Sequence, residues 1–148
     1  IKGIDSAYVT LHSGLGNFRA IEVEDLTKHK MDSEQMEINE QNANLINKTK
    51  ERENKVCIVG TTTMKAVETA AITGNRVKVY SGWSNKFIFP HYNFDIADAM
   101  ITNFHPPLSS MLMMVSAFGG YDLIMEAYKH AIEKEYKFLT YGDAMLII

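Results

Sequence analysis

A chain of 148 residues, 46% hydrophobic and 22% charged, is long enough to bury a core and has the composition of an ordinary soluble globular domain. No apolar run approaches the ~20 residues of a membrane-spanning helix, and no leader pattern is present, so membrane and secreted classes are not expected. The net charge of −3 argues against a broad phosphate-binding surface, so contact with nucleic acid would depend on a local patch or on another part of the protein.

The first half of the chain alternates strand and helix patterns. Asn39 is a candidate N-cap for a polar, exposed helix. The apolar run 56–59 is typical of a strand covered on both faces, and its Cys57 predicts a buried, reduced thiol. In the helix that follows, Lys65 and Glu68 are three residues apart and are expected to pair on the surface. The predicted elements are strands at 7–12, 35–38 and 56–59, and helices from Asn39 to about 53 and from about 64 to 72.

The second half continues the alternation. Pro106 and Pro107 set the entry of a helix, and Gly119 and Gly120 separate it from the next one. The predicted elements are strands at 77–80, 86–89, within 96–104 and at 144–148, and helices at about 109–118 and 121–136. Alternating strands and helices without repeats predict an α/β fold, and no linker divides residues 1–148 into more than one domain.

Two turns after predicted strands are candidate ligand sites. Gly14 and Gly16 follow the first strand, where backbone N–H groups can form an anion-binding concavity, although a plain turn is the favoured interpretation of these residues taken alone. Thr61 and Thr62 lie where a buried strand leads into a helix, the position at which open α/β sheets bind ligands; simple helix capping is the alternative. Neither turn carries the dinucleotide fingerprint or the P-loop pattern.

Two further clusters contain titratable groups. Asn103 and His105 lie at a predicted strand end before two prolines, which gives fixed donors and an imidazole suited to acid–base catalysis near neutral pH; a structural histidine is the alternative. Asp143 follows a turn and is placed either to cap it or to bind a ligand. The five histidines show no zinc-ligand spacing, so no metal site is predicted.

Seven motifs occur in an order that resembles one enzyme family. They are YVTLHSGLGNF at 8–18, HKMDSE at 29–34, VGTTTMKAVE at 59–68, FIFPHY at 87–92, ITNFH at 101–105, LMMVSAF at 112–118 and YGDAMLI at 141–147. Together they are similar to motifs of the S-adenosylmethionine:tRNA ribosyltransferase-isomerases of queuosine biosynthesis. The resemblance covers nearly the whole chain.

The resemblance implies a fold and a reaction. The chain would be the C-terminal part of a three-layer αβα sheet domain, without the family's N-terminal segment and inserted β-barrel domain. The enzyme would transfer and isomerise the ribosyl moiety of S-adenosylmethionine onto 7-aminomethyl-7-deazaguanine in tRNA, giving epoxyqueuosine, adenine and methionine. S-adenosylmethionine would be the co-substrate and tRNA the partner of a cytoplasmic enzyme that is monomeric when intact. The fragment alone is expected to be inactive, with exposed apolar surface that favours self-association.

The resemblance also implies roles for individual residues, with no metal among them. Proton transfer falls to His105 or His12, together with Asp143. Residues expected to bind S-adenosylmethionine are Gly14, Gly16, Thr61, Thr62, Glu68 and Asn103. Residues expected to bind the target base or the RNA are Ser33, Glu34, Lys65 and Arg19.

The sequence departs from the family's motifs at four positions. Asp32 replaces a histidine, Lys65 an arginine, His91 a glycine and Leu108 a lysine. Lysine keeps the charge of arginine but loses its bidentate geometry, and leucine removes a cation. Two other hypotheses stay open beside the resemblance. One is an α/β methyltransferase, which the missing glycine-rich fingerprint disfavours, and the other is a non-catalytic fragment that requires a partner.

Overall fold

The computed structural model describes residues 3–148, apart from the side chain of Phe18. It contains both strands and helices, as the sequence predicts, with four consecutive strands between the second and third helices. The strands are β1 (Thr10–Leu11), β2 (Glu34–Ile38), β3 (Cys57–Val59), β4 (Ala71–Ile72), β5 (Arg76–Val77), β6 (Tyr80–Ser84), β7 (Ala99–Asn103) and β8 (Ala144–Ile147). The α-helices are α1 (Glu40–Glu51), α2 (Thr61–Ala70), α3 (Ser110–Gly119) and α4 (Tyr121–Glu133), and 3₁₀ turns span Leu15–Phe18 and Leu26–Lys28.

The described strands form three small sheets. One is antiparallel in the order β1-β2-β6, the second has the order β3-β7-β8, and β4 pairs with β5 as a hairpin. In the second sheet β3 and β7 run parallel, with Ile58 opposite Met100, while β8 is antiparallel to β7. The parallel pair matters for function because the carboxyl ends of both strands meet at the same edge of the sheet.

Helix α2 forms the centre of the core. Its residues from Met64 to Glu68 are all buried, including one lysine and one glutamate. On its apolar side Met64, Ala66 and Val67 have at most 1% of their surface exposed and pack in one cluster with residues of β2, β3 and β7. A buried helix of this kind fixes the position of its N-terminus relative to both larger sheets.

Helix α1 is capped and anchored as the residue types predict. The Asn39 side chain accepts a hydrogen bond from the Asn42 backbone N–H at 3.0 Å, which confirms the predicted N-cap. The helix is not wholly exposed, because Ala43, Ile46 and Asn47 are buried. The Asn47 amide both donates to the Val77 carbonyl (2.9 Å) and accepts from the Val77 N–H (2.7 Å), so it satisfies the backbone of β5.

The predictions for β3, for Cys57 and for the segment 80–89 are wrong in part. Within β3 only Ile58 is buried, and Cys57 is exposed, so this strand is not covered on both faces. Residues 86–89 form no strand, whereas the segment Tyr80–Ser84, predicted in part as a connection, is β6. The α/β class is confirmed as a mixture of sheets and four α-helices in the described chain, in which β3 and β7 run parallel, although β4 to β7 follow one another without a helix between them. None of the helices within residues 3–148 combines the length and the apolar character needed to cross a bilayer.

Candidate functional site

The carboxyl ends of the parallel strands open into a cavity of about 240 Å³. After β3, Gly60 turns the chain with a φ of +89°, a conformation that favours glycine, and Thr61 and Thr62 begin α2. After β7, the chain passes through Asn103 to His105. Thr61, Thr62, Asn103 and His105 all line the cavity, so the structure brings these four predicted residues together.

Two helices begin at this cavity. At the start of α2 no side chain caps the free N–H groups. At the start of α3 the Ser109 hydroxyl accepts from the Leu112 N–H at 3.1 Å, and the neighbouring Ser110 lines the cavity. Helix N-termini carry partial positive charge and unsatisfied donors, so two of them at one cavity favour a carboxylate, a phosphate or hydroxyl groups.

A buried ion pair forms the wall beneath the glycine loop. Lys65 donates to the Glu34 carboxylate at 2.6 Å, and the two side chains are only 5% and 3% exposed. The other Glu34 oxygen accepts from the Gly14 N–H and from the Asn17 amide, both at 2.7 Å. Glu34 thus ties the loop, the sheet and α2 together, and both charges of the pair are neutralised within the protein.

His105 is buried and held on two sides. Its backbone N–H donates to the Tyr128 hydroxyl at 2.7 Å, and its Nε2 lies 2.8 Å from Thr102 Oγ1. Burial lowers the pKa of His105 to about 4, so the imidazole is neutral at physiological pH. The Nδ1 atom of His105 forms no hydrogen bond within the described residues. Every side-chain nitrogen or oxygen there that is fully shielded from solvent does have a partner. Nδ1 therefore keeps some exposure to solvent, and His105 lines the cavity.

Asp143 lies next to the cavity but does not line it. Its carboxylate accepts from the Lys137 N–H at 2.8 Å and so closes the turn before β8. The Asn103 amide donates to the backbone carbonyl of Asp143 at 3.2 Å, which connects the cavity to this turn. The cavity wall here is made by Leu139 and Thr140 instead.

Glu68 is also outside the cavity wall. Its carboxylate accepts from the backbone N–H groups of residues 95, 96 and 97 at 3.1 to 3.2 Å and is 1% exposed. The predicted surface pair between Lys65 and Glu68 is wrong, because both side chains are buried and each is engaged elsewhere, Lys65 with Glu34 and Glu68 with this backbone loop.

Several other predicted site residues lie on the surface near the glycine loop. His12, Ser33 and Arg19 are exposed, and none of them lines the cavity. Arg19 lies 3.6 Å from Asp32 at the surface. Gly16 packs against this aspartate so closely that a Cβ would lie 2.5 Å from its carboxylate. The structure therefore does not place His12, Ser33 or Arg19 in the cavity that His105 lines.

Sequence reasoning missed the pairing of Thr102 with His105 and the cavity residue Lys86. Thr102 is buried beside His105, and only the T-x-x-H spacing could have suggested the pair. Lys86 lines the cavity from the segment wrongly predicted as a strand. Its Nζ lies 3.0 Å from the Tyr92 hydroxyl. None of the sequence motifs assigned a role to Lys86.

The family described as Queuosine biosynthesis protein matches residues 1–147. The chain belongs to this family. Proteins named S-adenosylmethionine:tRNA ribosyltransferase-isomerase match at 59% identity in Phocaeicola vulgatus and 55% in Flavobacterium psychrophilum, over all 148 residues of this chain. A crystal structure of an S-adenosylmethionine tRNA ribosyltransferase from Thermotoga maritima superposes with a TM-score of 0.73 and 41% identity, over 78% of this chain and 40% of that one.

The match covers only part of these relatives. The chain spans 42% of the length of the Phocaeicola vulgatus protein and the same share of the Flavobacterium psychrophilum protein. More than half of the length of each of these two relatives therefore lies outside the match.

Proposed function

We propose that this chain contributes the nucleoside-handling cavity of an S-adenosylmethionine:tRNA ribosyltransferase-isomerase. The full reaction would move and isomerise the ribosyl group of S-adenosylmethionine onto 7-aminomethyl-7-deazaguanine in tRNA, with release of adenine and methionine and formation of epoxyqueuosine. The observation that carries the proposal is the position of His105 at a cavity where two helices begin, in a chain 59% identical to a relative of that name.

The chemistry requires groups of three kinds. A base must remove the C5′ proton that the neighbouring sulfonium acidifies, a donor must assist departure of adenine, and the ribose and methionine portions must be held. The deazaguanine's aminomethyl group then attacks, and methionine leaves as the epoxide closes. A well-placed acid or base typically contributes a factor of ~10²–10⁴ in rate.

The cavity supplies candidates for these roles. His105 is neutral at physiological pH, so its Nδ1 can exchange a proton with a bound substrate without first losing one of its own. We assign proton transfer to His105 in preference to His12, which is exposed and away from the cavity. The hydroxyls and free N–H groups of Thr61 and Thr62 suit the ribose hydroxyls or the methionine carboxylate, and Asn103 positions the neighbouring turn.

The complete protein would supply the remaining parts of the site. We propose that the described sheets belong to one three-layer αβα domain, completed by chain that the relatives carry beyond this match and that includes a β-barrel domain. This additional chain would cover apolar surface that the described residues leave exposed, such as Val59 on β3 and Leu146 on β8, each more than 60% exposed. It would also bring the tRNA-binding surface that a chain of net charge −3 lacks, in a cytoplasmic monomer.

A chimaera tests the proposal directly. The 148 residues of the Phocaeicola vulgatus relative that match this chain are replaced by it, and the purified protein is incubated with S-adenosylmethionine and tRNA bearing the aminomethyl-deazaguanine. The expected products are free adenine and methionine. Formation of S-adenosylhomocysteine would instead support a methyltransferase, and absence of any product would contradict the proposal. The isolated chain, assayed beside the chimaera, is expected to be inactive.

A further inference from the structure

The charges that line the cavity do not cancel. Three charged side chains contribute to its wall: Glu34, Lys65 and Lys86. The first two form the buried pair at 2.6 Å and neutralise each other. The salt bridges formed within residues 3–148 do not include Lys86. With His105 neutral, the cavity therefore carries one uncompensated positive charge, in addition to the partial charges of two helix N-termini.

Lys86 is held in place by a chain of hydrogen bonds. Its Nζ lies 3.0 Å from the Tyr92 hydroxyl and 5.1 Å from the centre of the same ring. That hydroxyl donates to Glu68 at 3.4 Å, so its lone pair faces the lysine. Glu68 in turn is fixed by three backbone N–H groups. An ammonium group already restrained in this way loses less freedom when it binds a ligand.

We propose that Lys86 binds an anionic oxygen of the substrate at the cavity. The inference rests on the proposed function, because that function supplies the two possible anions. One is the carboxylate of the methionine portion of S-adenosylmethionine, and the other is a phosphate of the tRNA backbone. Both are oxyanions that an ammonium group and helix N-termini stabilise together, and they differ in which substrate carries them.

The test measures binding rather than turnover. Dissociation constants for S-adenosylmethionine and for the tRNA are measured separately by titration calorimetry with the chimaera, its Lys86→Met variant and its Lys86→Arg variant. Methionine keeps most of the side-chain length and removes the charge. The variant is expected to bind one of the two ligands about tenfold more weakly, as for loss of a charged partner at a partly buried site. Arginine, which keeps the charge, is expected to bind that ligand within about threefold of the unchanged protein.

Two further measurements identify the anion. If it is the carboxylate, decarboxylated S-adenosylmethionine should bind the Lys86→Met variant and the unchanged chimaera equally. If it is a phosphate, the slope of log affinity for tRNA against log salt should fall by about one in the variant. Lys78→Met is the matched control, since Lys78 lies 5.3 Å from the centre of the Tyr80 ring in a similar cation–π arrangement but is exposed and outside the cavity.

The outcomes separate this inference from the function on which it rests. If Lys86→Met leaves both dissociation constants unchanged while the chimaera still releases adenine, Lys86 is only a structural partner of Tyr92 and the inference is overturned alone. An equal loss from Lys78→Met also overturns it, because the effect would then be general. If the unchanged chimaera binds neither ligand, the proposed function and the inference fail together.

Discussion

Lys65 Nζ lies 2.6 Å from Glu34 Oε2 in the core, and this ion pair joins α2 to the first residue of β2. The same glutamate accepts two further hydrogen bonds from the loop that contains Gly14. Glu34 therefore accepts hydrogen bonds both from Lys65 on α2 and from the loop. Because this one carboxylate holds both parts of the cavity wall, the wall depends on the ion pair remaining charged and intact.

Removing one partner of this pair should destabilise the protein strongly. Glu34→Gln leaves a buried ammonium without a counter-charge, and we expect the free energy of unfolding to fall by about 3 kcal/mol or more. Urea unfolding of the chimaera measures the change. Asp32→Asn is the matched control, because the Arg19–Asp32 pair is exposed at 3.6 Å and should contribute about 0.5 kcal/mol or less. If the two substitutions lowered the free energy of unfolding equally, burial of the Glu34–Lys65 pair would not increase its contribution to stability, and the prediction would be wrong.

Adenine release should depend on His105 and much less on His12. We expect His105→Ala to lower the rate of adenine release at least a hundredfold, the scale of a lost acid–base group, with little change in S-adenosylmethionine affinity. His12→Ala should stay within a few-fold of the unchanged chimaera, since this side chain is exposed and outside the cavity. The reverse order of effects would move proton transfer to the glycine loop.

Thr102 should act through His105. Its hydroxyl is the partner of Nε2, so Thr102→Val removes the hydrogen bond that fixes the ring and its tautomer. We expect adenine release to slow about tenfold, and Thr102→Ser, which keeps a hydroxyl, to restore most of the rate. Single-turnover rates of adenine release check this. A serine variant as slow as the valine variant would assign the effect to packing.

Stability should rise with pH through the range set by His105. Burial lowers its pKa from 6.5 to about 4 in the folded protein, so between these values the unfolded chain binds more protons. The free energy of unfolding therefore keeps its full value, as far as His105 is concerned, above pH 6.5. It falls by roughly 3 kcal/mol in total as the pH decreases towards 4. The difference in unfolding free energy between the unchanged protein and His105→Asn, measured from pH 7.5 to 4.5, isolates it. A difference that does not change with pH would mean that this histidine is not shielded from water.

His91 occupies a backbone conformation that suits glycine. Its φ is +76°, and the related motif has glycine at this position. His91→Gly should therefore raise the free energy of unfolding by about 1 kcal/mol, the usual cost of a left-handed conformation for other residues. His91→Ala serves as the control, because it removes the side chain but keeps the strain. Thermal unfolding measures both, and a gain in the alanine variant alone would contradict the backbone explanation.

Local sequence signals predicted the strand and the helix that flank the cavity and four of the residues that line it. The Asn39 cap depends on neighbours in sequence and is confirmed. The strand before Gly60 and the helix after it are also present, but the helix begins at Thr61 and no threonine side chain caps it. Thr61, Thr62, Asn103 and His105 also line one cavity, because the carboxyl ends of two parallel strands meet there.

Long-range packing decided what the sequence could not predict. The three-residue spacing of Lys65 and Glu68 indicates a surface pair only for an exposed helix, whereas α2 is buried and each charge has a distant partner. Cys57 looks like core by composition, but in the described chain its face of β3 is open. Lys86 lines the cavity from a segment whose pattern predicts a strand but which folds irregularly.

The most direct test is the crystal structure of the chimaera with S-adenosylmethionine bound. The account predicts that the ribose lies in the cavity between the start of α2 and His105, within hydrogen-bond reach of Thr61 or Thr62 and with its C5′ near Nδ1 of the imidazole. Density for the nucleoside elsewhere, with that cavity holding only water, would contradict the assignment of this cavity as the site of ribosyl transfer.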